Sequence, residues 1–217
     1  MRTELAELTY NFTNPFEVLD IFESKLAEFF GSRYCVLVDS CTHGLELCLR
    51  LTNEVKEEIT IPMNTYMSVP MMLQKLGINY FFHINKWRSY YQLEPTNIYD
   101  AATLWEENSY IKGSMMVLSF QHKKHIKIGR GGAILLNDEG LYERLKKARY
   151  DGRDLTKNHA DDQINEIGYH YYMTPEDAAL GIQLFDKHKN DAAKIWTNED
   201  YVPLIKYNIF KNIKVKL

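Results

Sequence analysis

Cysteine is scarce: Cys35, Cys41 and Cys48 are the whole complement of this 217-residue chain. They form neither a C-x-x-C pair nor an even set, which excludes a disulfide framework. Two of them sit in apolar runs and read as small core residues in a reducing compartment. Long apolar runs are missing too. No stretch approaches the roughly 18 residues of a membrane span. The opening residues, MRTELAELTYNF, carry acids where a secretory leader would be apolar. An excess of one charge is also lacking: 26 Lys and Arg stand against 29 Asp and Glu, a net charge of -3. Nothing in that balance attracts nucleic acid or an anionic membrane. Internal repeats and low-complexity tracts are absent. A cytoplasmic protein that engages neither nucleic acid nor membrane is expected.

What is present is an ordinary globular composition, 45% hydrophobic and 25% charged. The length suits one domain spanning residues 1–217. Asn14-Pro15 reads as a helix start, and Phe16, Leu19, Phe22, Leu26, Phe29 and Phe30 keep helical spacing until Gly31. Tyr34–Val38 is a short apolar run, the mark of a buried strand, and a second helix should follow near Leu45–Leu51. Further strands are expected at 59–61, 78–84, 97–99, 114–120 and 133–136. Thr65 is expected to cap a helix running to about Leu76, and further helices should cover 141–150 and 175–187, the last capped by Thr174 ahead of Pro175. Strands alternating with helices predict an α/β protein with a largely parallel central sheet. Residues 196–217 have room for one helix or strand.

Four constellations could carry chemistry. Asp39-Ser40-Cys41-Thr42-His43-Gly44 joins a strand to a helix, where backbone N–H groups and a hydroxyl make an anion site, or simply a capped helix start. Tyr99-Asp100-Ala101-Ala102-Thr103 ends a strand at the place where open α/β sheets bind ligands, although Asp100 could equally cap a helix. Ser119 to His125 places two lysines and two histidines after an apolar strand, followed by Gly129-Arg130-Gly131-Gly132. A solvated basic loop is the plain reading, but the glycines imply tight backbone geometry. His122 and His125 have no partner pair at metal-ligand spacing, so zinc is disfavoured. Gly168 to Leu184 sets Tyr169, His170, Tyr171 and Tyr172 before a capped helix lined with small residues.

Taken in order, these segments resemble the DegT/DnrJ/StrS family of pyridoxal 5′-phosphate (PLP)-dependent sugar aminotransferases. Phe30 to Leu49 resembles that family's fG…a-v-v-S-x-T-x-a-L-x-l-a-L opening, and Pro62-Met63-Asn64-Thr65-Tyr66 its P-x-x-T-[FWY] segment. Tyr99 to Ala102 resembles E-D-A-A, and Ser119-Phe120 with Lys124 resembles S-F-x-x-x-K. Gly129 to Asp138 resembles G-x-G-G-a-i-x-t-n-D, and Gly168 to Leu184 resembles G-x-N-x-R-M-T-e-x-q-A-A-l-G-x-x-Q-L. The likeness spans about Phe16 to Lys187. It departs from the family in a short interval between Pro62 and Asp100, in a C-terminal small domain reduced to a remnant from about residue 190, and in His170 and Tyr172 where the family has Asn and Arg.

The resemblance implies a fold type I large domain and an aminotransferase that moves an amino group from an amino-acid donor, glutamate foremost, to a nucleotide-linked keto-sugar in glycan synthesis. It implies that Lys124 holds PLP as a Schiff base and shuttles the proton, with Lys123 as a like-charged neighbour. Asp100 would pair with the pyridine nitrogen. Cys41, Thr42 and Ser119 would bind the phosphate, Tyr66 would stack on the ring, and Thr103 would stand near the ring hydroxyl. It also implies a homodimer with a shared active site, His170 reaching the cofactor of the partner chain. Relatives that dehydrate their sugar carry His where this chain has Lys124, which favours transamination. The alternative is a shrunken PLP-binding protein of the same fold that serves as a partner or regulator without turnover.

Overall fold

The computed structural model describes residues 14–52 and 58–216. Helix α1 covers Glu17–Phe30 and buries Val18, Leu19, Phe22, Leu26 and Phe30 along one stripe. It stops at Gly31, whose φ of 80° is a left-handed conformation that a side chain would strain. The Gly31 N–H returns to the Ala27 carbonyl.

Strand β1 (Tyr34–Val38) leads into helix α2 (Cys41–Leu51), which Ser40 caps by accepting a hydrogen bond from the His43 N–H at 3.2 Å. Strand β2 (Ile59–Pro62), helix α3 (Ser68–Lys75) and strand β3 (Tyr80–His83) follow. Helix α3 starts three residues beyond the expected Thr65 cap and has no side-chain cap; Thr65 is buried and bonds elsewhere. Strands β4 (Tyr91–Gln92), β5 (Ile98–Asp100), β6 (Met115–Ser119) and β7 (Gly132–Leu136) come next. Helix α4 (Glu139–Ala148) begins two residues earlier than its apolar spacing suggested, because Asp138 caps it through the Leu141 N–H. Helix α5 (Pro175–His188) begins as expected, with Thr174 accepting from the Asp177 N–H.

The main sheet has the order β1-β7-β6-β5-β4. It was expected to be largely parallel and is mixed. Strand β7 runs against both β1 and β6, β5 is parallel to β6, and β4 is antiparallel to β5. Strand β4 meets β5 across residues 93–97, too short a connection for a crossover, and the loop of residues 120–131 brings the chain back alongside β6 as β7. Strands β1, β5 and β6 therefore share one direction, and their C-terminal ends lie at one edge. That arrangement fixes where a ligand can sit.

Both faces of the sheet are covered, which is why its strands are almost wholly apolar. On one face Leu37, Met116, Leu118 and Leu135 pack with Phe22, Leu26 and Phe30 of α1 and Ala178 and Ile182 of α5. On the other, Val36, Val38, Val117 and Ile134 pack with Leu45 and Leu49 of α2 and Leu145 of α4. Alternate residues of one strand thus feed two separate cores. Gly44 lets α2 lie close, since a Cβ there would stand 2.6 Å from Val117 Cγ1.

Residues 196–216, expected to hold one element, form two short 3-10 turns (Asn198–Asp200 and Leu204–Lys206) and strand β8 (Val215–Lys216). Strand β8 adds in parallel to β3 and makes a second sheet ordered β2-β3-β8. Thr60 and Glu94 exchange backbone hydrogen bonds of 2.8 and 3.1 Å, stitching β2 to the residues after β4.

Candidate active site

The shared edge of β1, β5 and β6 opens into a cavity of about 520 Å³, a volume suited to a cofactor-sized ligand. Strand β1 delivers Ser40, Cys41 and Thr42 at the start of α2. Strand β5 delivers Asp100 with Ala102 and Thr103, and β6 delivers Ser119. Tyr66, from the loop before α3, forms a wall and is 55% exposed. The loop after β6 brings Gln121, Lys123 and Lys124. Seven residues singled out in the sequence therefore meet here: Cys41, Thr42, Tyr66, Asp100, Thr103, Ser119 and Lys124.

Asp100 is 6% exposed. Its Oδ1 accepts from the Ala102 N–H at 2.9 Å and its Oδ2 from the Tyr91 phenol at 2.6 Å. Burial pushes its carboxyl above the ordinary range, while the Tyr91 and Ala102 hydrogen bonds and the Lys124 charge pull it back. Cys41 turns inward; its Sγ is 3.5 Å from the Val117 carbonyl oxygen, and burial pushes its thiol well up.

Lys124 lines the same cavity. Its Nζ is 3.4 Å from the Tyr201 hydroxyl and 5.1 Å from the centre of the Trp196 ring. Burial lowers the pKa of its amine; Asp100 and Cys41 oppose that shift, and Lys123 adds to it. The backbone holds the loop tightly: the Lys124 N–H bonds the Gln121 carbonyl at 2.8 Å, and Gly129 N–H bonds the Phe120 carbonyl at 3.0 Å. Gly129 and Gly131 take φ values of 112° and 129°, the geometry their clustering implied.

At the start of α2 the His43 and Gly44 N–H groups bond to Ser40, and the Cys41 and Thr42 N–H groups precede the first intrahelical bond, as at any helix N-terminus. The Thr42 hydroxyl lies 2.7 Å from that of Ser68, the first residue of α3. Asp39 is held by Arg130 at 2.6 Å and by His43 Nδ1 at 2.7 Å. His43 in turn stacks on Tyr171 with ring centres 3.7 Å apart. Thr103 donates to the Ser89 carbonyl at 2.7 Å, so its hydroxyl proton is already committed.

His170 does not line this cavity. Its side chain is 68% exposed and its Nδ1 is 3.0 Å from Asp151 Oδ2. Tyr169 and Tyr171 pack on the chain's own core. His125 is engaged in packing, stacked on Trp105 with Nε2 2.8 Å from the His188 carbonyl oxygen. Among the described residues, no group of three or more His, Cys, Asp or Glu could hold a metal ion, and no helix is long and apolar enough to cross a membrane.

Sequence reasoning missed four residues: Thr65, Tyr91, Trp196 and Tyr201. Thr65 lay inside a quoted motif but was assigned to capping. Tyr91 belongs to a two-residue strand, too short for alternation to register. Trp196 and Tyr201 come from the segment read as a remnant.

A donor set of this kind fits PLP. A buried carboxylate can meet a protonated ring nitrogen, a helix start can take a phosphate, and a desolvated lysine can meet an aldehyde. A sequence model of the DegT/DnrJ/EryC1/StrS aminotransferase family matches residues 5–105 and 108–197. An uncharacterized protein of Methanocaldococcus jannaschii is 24% identical over 253 residues, covering 89% of this chain and 65% of that protein. Among solved structures, AtS13 from Actinomadura melliaura superposes with a TM-score of 0.68 at 24% identity, over 78% of this chain and 59% of its own. Helicobacter pylori PseC, an aminotransferase involved in the biosynthesis of pseudoaminic acid, gives 0.67 at 18% identity, over 85% and 61%. The chain thus spans about three fifths of the length of these structures and about two thirds of the curated relative.

Proposed function

Because the chain belongs to the DegT/DnrJ/EryC1/StrS aminotransferase family, we propose that it is a PLP-dependent transaminase. Its amino donor is an amino acid, glutamate foremost, and its acceptor a keto-sugar carried on a nucleotide, for glycan synthesis. The observation that carries this reading is one cavity that holds a buried carboxylate, Asp100, and a desolvated amine, Lys124, beside a helix N-terminus.

When bound, PLP supplies an electron sink for the carbanion left when an amino acid loses its Cα proton. The chain's own groups do the rest. The Lys124 Nζ, its pKa lowered by burial, has a larger neutral fraction than a surface lysine; it is the group that would hold the cofactor through its aldehyde and would accept the Cα proton. Asp100 would keep a proton on the ring nitrogen by holding a negative charge beside it. The Cys41 and Thr42 N–H groups, with the Thr42 and Ser119 hydroxyls, would bind the phosphate. Tyr66 would cover the ring face, and Trp196 and Tyr201 pack against the lysine.

We further propose that the working form is a homodimer. In it, His170 of one chain reaches the cofactor phosphate of the other. Its outward position and its absence from the chain's own cavity support this.

Borohydride reduction of the PLP-loaded protein, followed by peptide mapping, tests the assignment: the label is expected on Lys124. A visible band that shifts when glutamate is added supports transamination. A band that forms but never shifts marks a PLP-holding partner protein instead.

A further inference from the structure

Asp100 is held by an unusual neighbour. Tyr91, itself 6% exposed, donates its phenolic proton to Asp100 Oδ2 at 2.6 Å. The Tyr91 oxygen lies 2.6 Å from the hydroxyl of Thr65, which is 4% exposed. A phenol has one proton, and here Asp100 receives it. The Thr65 hydroxyl must therefore donate to Tyr91, giving a chain of bonds that runs from Thr65 through Tyr91 to Asp100.

The three residues come from separate segments: the loop before α3, the two-residue strand β4 and the end of β5. Strand β4 sits beside β5 through the pairing Tyr91↔Asp100. The short interval between β3 and β5 leaves no other strand on that side, so β4 forms the edge of the main sheet. Strand β4 is also tied down, with Tyr91 packed on Trp87 at 5.5 Å between ring centres.

We infer that Tyr91, backed by Thr65, is a positioning residue. It fixes the rotation of the Asp100 carboxylate and keeps that group a hydrogen-bond acceptor toward the cavity. Without the phenol, one carboxylate oxygen would be buried without a partner, and the group would either rotate or take up a proton. Either change weakens its hold on a protonated ring nitrogen. The direction of the burial effect on Asp100 agrees: desolvation favours the protonated acid, and the Tyr91 bond is the first force against it. The other titratable groups around Asp100 are Lys124 from the loop after β6, Cys41 from α2 and Tyr201 from the C-terminal segment. The clamp is a property of this chain; only the nature of what Asp100 meets rests on the transaminase reading.

The test uses the full chain as Tyr91→Phe, Thr65→Val and Thr65→Ser. In the cofactor-free protein, the Asp100 carboxyl is followed by 13C NMR against pH and assigned by its loss in Asp100→Asn. Its midpoint is expected to rise in Tyr91→Phe, to rise less in Thr65→Val, and to return in Thr65→Ser. In the PLP-loaded protein, the pH midpoint of the visible band is expected to move, and kcat to fall roughly tenfold to a hundredfold, the worth of one hydrogen bond to a charged group. KM for the amino donor should stay within about threefold, because that bond acts on the ring and not on donor binding. An Asp100 that titrates identically in all four proteins overturns the inference. If Tyr91→Phe fails to fold, the Thr65→Val and Thr65→Ser pair decides it. Failure of the parent protein to bind PLP would instead overturn the transaminase reading, leaving the NMR titration to judge the clamp alone.

Discussion

A lysine amine attacks only in the fraction that has lost its proton, and burial at Lys124 enlarges that fraction. The sign follows directly. A lowered pKa moves the rise of the neutral amine to lower pH, so PLP capture should persist at a pH where a free lysine analogue has ceased to react, as stopped-flow absorbance would record. Lys124→Ala should remove covalent capture while leaving the melting temperature close to that of the parent, because the residue sits in a loop, half-buried and outside the two apolar cores. Borohydride labelling of Lys123 in the parent would refute the assignment. Asp100→Asn should spare PLP affinity better than turnover, since the lost charge faces the ring and not the phosphate. Equal kcat in the two proteins would remove Asp100 from the chemistry. These residues were legible because each ends a strand or follows one, in a pattern of types that chemistry constrains. Tyr91 was not: nothing local distinguishes Tyr91 from Tyr90, and only the fold places one of them against Asp100.

At the scale of elements, close approach decides where α2 can lie. The α2 glycine, Gly44, faces Val117 of β6 and Val38 of β1, and an added methyl would be 2.6 Å from the first and 3.2 Å from the second. Gly44→Ala should therefore cost about 1–3 kcal/mol, the usual penalty for overpacking. Urea denaturation would read this, and Val117→Ala in the same chain should recover part of the loss. A neutral Gly44→Ala would mean that α2 can lift from the sheet, taking the Cys41 and Thr42 N–H groups with it. Helices α1, α2, α4 and α5 were legible from apolar spacing, but only α5 from its cap: α1 begins at Glu17 with no side-chain cap, two residues past the expected start at Pro15. The start of α3 was not, since Thr65 looks like a cap and is claimed by Tyr91 instead. The strand directions were illegible for a different reason. Apolar runs look alike in parallel and antiparallel sheets once both faces are buried, and β5 and β6 are parallel although no helix lies between them.

At the scale of the whole molecule, the homodimer proposal predicts a particle of twice the chain mass in light scattering. It also predicts that His170→Ala lowers PLP affinity although His170 is absent from its own chain's cavity. A monomer that binds PLP tightly at micromolar concentration would end the shared-site reading. The cavity itself is gathered from residues between Ser40 and Tyr207, so most of the chain must be in place before Asp100 and Lys124 line one site. A ligand that recognises only that gathered state draws the folding equilibrium toward it by mass action, adding about 2.7 kcal/mol when present at a hundred times its dissociation constant. Calorimetry should then find the transition temperature climbing with the logarithm of PLP concentration. In Lys124→Ala the climb should start only at higher PLP, offset by the weakened affinity. For a chain built this way, the supply of vitamin is also a supply of stability.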